Sequence, residues 1–250
     1  MKPCAMVESE KSFPSLTRET VVNLGNDFPK FGKLVSSVSG LHVGCGSRLY
    51  PDCVNVDAGP LIGFDGELST PGDLVALPGG AYYLQADLTQ GLPFAADTFQ
   101  WIIAEHIIEH LTFSDATLWL TEMRRLLHPA GTLRISTPDL AKYAEGYRDP
   151  KRTFFDEHWE NIKVHSSSPF PKRRAWLLNQ IFYLWGHKWI YDLEEIAYAA
   201  GLAGFSAEEI AECSFGTGRI KAVAELDWDL RRDESLYVEL TKGTSQFSFS

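Results

Sequence analysis

The chain has little cysteine, a deficit of positive charge and no long apolar run, and each shortage excludes something. Its 250 residues hold four cysteines, Cys4, Cys45, Cys53 and Cys213. None forms a CxxC pair and no Cys/His cluster has zinc-ligand spacing, so the sequence predicts no metal site and reduced thiols. Lysine and arginine number 23 against 33 acidic residues, a net charge of −10. A general nucleic-acid binder needs a basic face to displace counterions, so no nucleic-acid partner is expected. No apolar run approaches the ~18 residues that span a bilayer. The opening Met1-Lys-Pro-Cys-Ala-Met-Val-Glu lacks the apolar core of a signal peptide. The expected location is therefore cytoplasmic. Internal repeats are absent, and nothing matches the phosphate-binding pattern GxxxxGK[ST].

What is present is enough for a core: 44% hydrophobic and 12% aromatic residues. From Leu41 the pattern is α/β. Leu41–Val43 and Cys53–Val56 read as short buried strands, Tyr82–Ala86 as a third and Phe99–Ala104 as a central fourth. Residues 59–80 hold six glycines and three prolines and read as loop. Residues 114–127 carry an apolar stripe of Ala116, Trp119, Leu120, Met123, Leu126 and Leu127, with Ser114 as cap. His128-Pro-Ala-Gly131 stops that helix, and Thr132–Ser136 is a fifth strand. Asp192 caps another helix that runs to Gly201. Arg219–Glu225 and Leu236–Leu240 read as a final, hairpin-like strand pair at the sheet edge. A short N-terminal helix is expected around Thr17–Val35.

The informative stretch is Leu41-His-Val-Gly44-Cys45-Gly46, followed by Val54-Asn-Val-Asp57. Glycines let backbone approach a ligand, and a carboxylate at the end of the next strand can accept from a ribose diol. A dinucleotide site also needs GxGxxG and a helix N-terminus for the pyrophosphate. Here Leu49 stands at the third glycine position, and the gap before Cys53 has no room for a full helix. A cofactor with adenosine but no phosphates fits better, and S-adenosylmethionine is the obvious one.

An ordered set then follows: Ala86-Asp87-Leu88, Leu92-Pro-Phe, Asp97-Thr-Phe-Gln-Trp-Ile-Ile-Ala-Glu105-His106-Ile-Ile-Glu109-His110-Leu111, and Leu126-Leu-His-Pro-Ala-Gly131. Over residues 41–140 the chain resembles class I S-adenosylmethionine-dependent methyltransferases. Gly186-His-Lys-Trp-Ile-Tyr-Asp192 and Glu234-Ser-Leu-Tyr-Val-Glu239 look like a bacterial subgroup linked to polysaccharide synthesis, which shares the short first crossover. The resemblance implies a Rossmann-like three-layer α/β sandwich, mostly parallel, with an antiparallel edge strand. It implies that Gly44, Cys45 and Gly46 lie under the cofactor's amino-acid part, Cys45 as a small filler. Asp57 would hold the ribose, Asp87 and the Leu88 N–H the adenine, and Glu105 and His106 the methionine side. The chain departs from the usual pattern at His42 and Arg48.

A hydroxyl acceptor would also need a general base, and His106, His110 and His187 are the candidates. Residues 1–38 read as an extension and 39–250 as the methyltransferase domain. Within it, 141–190 is an insertion that could lie as a lid over the acceptor. That block is aromatic and basic, with Arg148, Lys151, Arg152, Lys163, Lys172, Arg173 and Arg174, which favours an acceptor bearing phosphate or carboxylate. The reaction expected is methyl transfer to a small-molecule or glycan acceptor, at oxygen. Two alternatives remain at this point: a catalytically silent binding protein on the same fold, and a nicotinamide-dependent oxidoreductase.

Overall fold

The computed structural model describes residues 16–18, 20–25, 38–63, 66–164 and 171–244. Its strands, in chain order, are β1 (Val22–Asn23), β2 (Gly40–Val43), β3 (Cys53–Asp57), β4 (Ile62–Gly63), β5 (Gly66–Glu67), β6 (Leu74–Ala76), β7 (Tyr82–Gln85), β8 (Phe99–Glu105), β9 (Leu127–Pro138), β10 (Ile210–Cys213) and β11 (Ser235–Thr241). Its helices are α1 (Phe113–Leu126), α2 (Leu140–Arg148), α3 (Thr153–Val164), α4 (Arg174–Tyr183), α5 (Leu193–Leu202) and the four-residue α6 (Lys221–Ala224).

Nine strands form one sheet in the order β1-β6-β7-β3-β2-β8-β9-β11-β10. The centre, from β7 to β9, is parallel. On one side β11 runs antiparallel to β9, with β10 beyond it. On the other, β6 runs antiparallel to β7. β2 is buried along its whole length, as a strand covered on both faces must be. Gly40 has to be glycine, because a Cβ there would lie 1.9 Å from the Trp101 ring. His42 is a buried strand residue. Its ring stacks on Tyr50 at 4.2 Å and its Nδ1 meets Asn55 Oδ1 at 3.2 Å. Burial lowers its pKa to about 3, so it sits neutral in the sheet.

The register aligns the strand ends. Val43 pairs with Val56 and with Ala104, and Asp57 pairs with Gln85, Glu105 with Ser136. One residue further on, Gly44, Asp57 and Glu105 emerge side by side at the C-terminal edge, where open parallel sheets place their ligands. Helix α1 covers the sheet with Ala116, Trp119, Leu120, Met123 and Leu126, all buried. This is the helical stripe the spacing predicts. Its cap is Thr112, which accepts from the Asp115 N–H at 3.2 Å, two residues earlier than the predicted Ser114. Asp192 caps α5 as expected, accepting from Glu195 N at 2.9 Å.

Some expectations fail. Arg219–Glu225 is not a strand: Lys221–Ala224 is helical, and β11 pairs instead with β10. Adjacent Val223 and Ala224 are the buried pair there, so the apolar run was not an alternating one. β10 was missed because its residues are half-buried or exposed and give no apolar run. Residues 59–80 are not all loop, since β4, β5 and β6 lie in them. Of the N-terminal helix over Thr17–Val35, the described part contains a strand at Val22–Asn23, paired with β6. The rest lies outside the described residues, as does Cys4. Between β2 and β3, residues 44–52 contain turns and no helix, as the short spacing requires.

Candidate active site

The turn after β2 takes two left-handed residues, Gly44 at φ 69° and Gly46 at φ 51°. Such values are costly for residues with a Cβ. A Cβ on Gly44 would also meet Ile107 at 1.9 Å. A Cβ on Gly46 would project into open space. Asp57 closes the turn: Gly46 N donates to Oδ2 at 2.8 Å and Gly59 N to Oδ1 at 2.9 Å. Each oxygen therefore keeps one further lone-pair site. Burial pushes the Cys45 thiol up, and Cys53 up to about 12. Both are inert fillers rather than nucleophiles. Cys45, Cys53 and Cys213 are free thiols.

With no helix after it, the turn is held from the side. The Arg48 guanidinium ion-pairs with Glu105 at 2.6 Å and donates to the Leu226 carbonyl at 3.1 Å. It also lies over the Tyr50 and Trp228 rings, 5.4 and 5.0 Å from their centroids. The Tyr50 hydroxyl contacts Glu105 at 3.1 Å, and Trp228 N donates to Glu105 at 2.7 Å. Glu105 is thus filled by protein partners. Burial pushes its carboxyl up, with Arg48 opposing. Asp87 is exposed, and its Oδ1 accepts from Thr89 N and Oγ1 at 2.9 and 2.8 Å. Those bonds lower its pKa and leave Oδ2 free of them. Leu88 is half-buried against the core.

The three candidate histidines converge on one residue the sequence mentioned only as part of a motif, Glu109. It lies in a 3-10 turn, Ile108–His110, and is fully buried. His106 Nδ1 is 3.1 Å from Glu109 Oε1, and Thr137 Oγ1 donates to Oε2 at 3.1 Å. Burial opposes its ionisation, yet the His106 ring beside it holds the carboxyl below the usual range. His106 itself has a left-handed backbone, φ 53°, a strain that tends to gather at functional sites. Its Nε2 is 2.7 Å from Ser235 Oγ, whose single proton goes to the Arg231 carbonyl. His106 therefore donates there, and both its nitrogens are engaged.

His187 arrives from far along the chain. Lys188 N and Trp189 N both donate to the Glu109 carbonyl, at 2.7 and 3.2 Å. The preceding Trp185 and Gly186 are left-handed, at φ 66° and 80°. The His187 ring meets the His110 ring edge-on at 4.9 Å. Its Nδ1 donates to the Ile181 carbonyl at 2.7 Å, which leaves Nε2 as a free lone pair. Burial lowers its pKa, so the ring is neutral near pH 7. His187 also lines a cavity of about 290 Å³ with Phe182, Lys188, Trp189 and Ile190.

The basic residues of 141–190 do not all face a ligand. Lys163 pairs with Glu160 and Lys172 with Asp156, both within that stretch. Arg174 donates to the Tyr147 and Asp149 carbonyls.

Residues 41–135 match the family model described as a methyltransferase domain. Over that stretch, less than half of the chain, the sequence is similar to this family. The chain's cofactor is S-adenosyl-L-methionine, and its activity is that of a methyltransferase dependent on it. The fold is the Rossmann-like class I arrangement. No curated protein matches the chain. Among solved structures, similar folds include an S-adenosylmethionine-dependent methyltransferase from Mesorhizobium loti, at 18% identity over 86% of this chain and 95% of that one, TM-score 0.43. A Pyrococcus horikoshii protein shows 16% identity over 81% of each chain, TM-score 0.42. Phosphoethanolamine N-methyltransferase 2 from Haemonchus contortus shows 11% over 83% of this chain and 49% of that one, TM-score 0.44.

The residues at the strand ends fit this cofactor. Open space lies beyond Gly46, and the Asp57 oxygens retain the two acceptor sites that a vicinal diol needs. Residues 44–52 after the turn form no helix whose N-terminus could hold a pyrophosphate, which counts against a dinucleotide. Among the described residues, no helix is long and apolar enough to cross a membrane.

Proposed function

We propose that the protein moves the methyl group of S-adenosylmethionine to a hydroxyl of a small-molecule or glycan acceptor, bound beside the Glu109 cluster and under the 141–190 insertion. The observation that carries this reading is the convergence of His106, His110 and His187 on one buried carboxylate, next to a cavity that His187 lines.

The cofactor supplies a methyl group already activated by a positively charged sulfur. The chain's residues do the rest. Gly44, Cys45 and Gly46 would lie under the amino-acid part, and Asp57 would take the ribose hydroxyls. The free Asp87 Oδ2 and the Leu88 N–H would meet the adenine. Glu105 would act on the methionine side through the turn it anchors, because its oxygens already hold Arg48, Tyr50 and Trp228 N. As the acceptor oxygen bonds to the methyl carbon and the carbon–sulfur bond breaks, the hydroxyl proton leaves to the histidine cluster. Of the three rings, His106 has no free nitrogen and serves to hold Glu109 in place. His187 offers the available lone pair. Trp189 and Phe182 line the cavity that would take the acceptor's apolar faces. The exposed aromatic stretch around them suits a sugar or ring better than a strongly anionic group, since Lys163 and Lys172 are already paired.

The test is release of S-adenosylhomocysteine with a panel of hydroxylated acceptors, comparing wild type and His187→Ala. Positioned proton transfer contributes about 10²–10⁴-fold, so kcat should fall by that order while cofactor affinity stays within about threefold. A His187→Ala protein as active as wild type on every acceptor that wild type turns over would refute the assignment.

A further inference from the structure

The geometry points to Glu109, His110 and His187 as a binding site for one first-row divalent metal ion of the zinc type. Each residue offers one donor atom, and the three donors lie within 4.8 Å of one another. Ligands around a tetrahedral ion with bonds of about 2.0–2.2 Å stand about 3.4 Å apart, so the donors must draw in by turning the two half-buried histidine rings.

Independent features of the site point the same way. Glu109 is fully buried, and its Oε1 takes no hydrogen bond. The nitrogen facing it is His106 Nδ1, 3.1 Å away. A buried carboxylate oxygen left in this state is rare unless something else completes it. The surrounding contacts are also those that orient ligands. Metal-bound histidines commonly donate their second N–H to a carbonyl or carboxylate, and bound carboxylates are themselves hydrogen-bonded. His187 Nδ1 donates to the Ile181 carbonyl, and Thr137 donates to Glu109 Oε2. The loop that carries His187 is pinned by two N–H bonds to the Glu109 carbonyl, so the donors from two distant segments are held together in advance.

Donor chemistry selects the ion. Two imidazoles and one carboxylate suit zinc, cobalt, nickel or iron, whereas magnesium and calcium want oxygen ligands throughout. Three protein ligands leave a position open, the arrangement of catalytic rather than structural zinc. His187 belongs both to this set and to the wall of the 290 Å³ cavity. With an ion in place, His187 would be a ligand and no longer the base; the ion would favour the alkoxide of an acceptor hydroxyl at the open position, the proton passing to bulk water. That consequence rests on the methyl-transfer reading; the binding itself does not.

The experiment uses the full chain, freed of metal by a chelator. Zinc is titrated by calorimetry, and cobalt by its visible absorption. One ion per chain is expected, with a zinc-dependent rise in Tm. His110→Ala and His187→Ala, at half-buried positions, should each weaken binding at least tenfold. His128→Ala, at an exposed position away from the cluster, should leave it unchanged. Absence of stoichiometric zinc or cobalt binding by wild type, with no rise in Tm, overturns the site. So does binding that survives both histidine variants, since it would then belong to other groups such as the free thiols.

Discussion

Replacing Asp57 with alanine removes two different things, and the structure allows each to be sized. The carboxylate accepts from Gly46 N at 2.8 Å and from Gly59 N at 2.9 Å. Those bonds hold the glycine turn in the free protein. The two remaining acceptor sites are the ones given to the ribose. A hydrogen bond to a charged group is worth roughly 1.5–3 kcal/mol. Two of them lost from the bound state, less some relief from water entering, leave about 2–4 kcal/mol, or roughly 30- to 1000-fold in Kd. The loss to the turn is separate and shows as stability, on the order of 1–3 kcal/mol. Asp57→Asn separates the two further, because its amide nitrogen cannot accept from a backbone N–H or receive a ribose proton. It should fall between wild type and alanine in affinity. The assay is calorimetric titration of S-adenosylmethionine into each variant, with urea unfolding alongside. A folded Asp57→Ala protein that binds within threefold of wild type refutes the ribose role, and with it the reading of the strand-end carboxylate.

Two further outcomes concern networks that frame the site. Glu234 is buried, and although burial would raise its pKa, the neighbouring His158 and Arg231 bring it down to about 2. A depressed carboxyl contributes stability that is fully present above its unfolded value near 4.5 and is lost as pH falls through 2. Between pH 5 and pH 2, urea unfolding should therefore show wild type losing on the order of 3 kcal/mol more than Glu234→Gln; parallel losses would refute this. Arg134 is buried and donates to both Asp227 oxygens at 2.6 Å and to Glu239 at 3.0 Å. Arg134→Ala leaves two buried carboxylates uncompensated, so unfolding free energy should drop by about 3–5 kcal/mol. A loss under 1 kcal/mol would show that water reaches them.

How far the sequence could be read depended on whether a feature was local. The glycine turn, Asp57 and the missing helix between β2 and β3 are consequences of neighbouring residues, and they stand in the structure where the spacing put them. Helix α1 was legible because its stripe repeats over 14 residues. The cluster around Glu109 was not, since His187 reaches it through a loop whose left-handed Trp185 and Gly186 leave no periodic trace. For the same reason the absence of zinc-type spacing in the sequence says nothing about Glu109, His110 and His187. Arg48 looked like a misfit in the turn because its partner carbonyl, Leu226, is remote in sequence. β10 was invisible because an edge strand needs few buried residues. The buried Tyr143, His158 and Glu234 network gave no signal either, since isolated polar residues in an aromatic stretch look like surface.

The lateral anchoring of the glycine turn has a consequence for the order in which the chain is made. In a turn followed by a helix, the support is synthesised at once, and the ligand cradle can form while the rest is still emerging. Here the support comes from Leu226 and Trp228, through Arg48 and Glu105. A nascent chain that has passed Asp57 but not reached Trp228 holds the residues we assign to the cofactor without the lateral brace from Arg48 and Glu105. Cofactor capture is therefore a late event of biosynthesis, open only to a chain that has nearly finished folding.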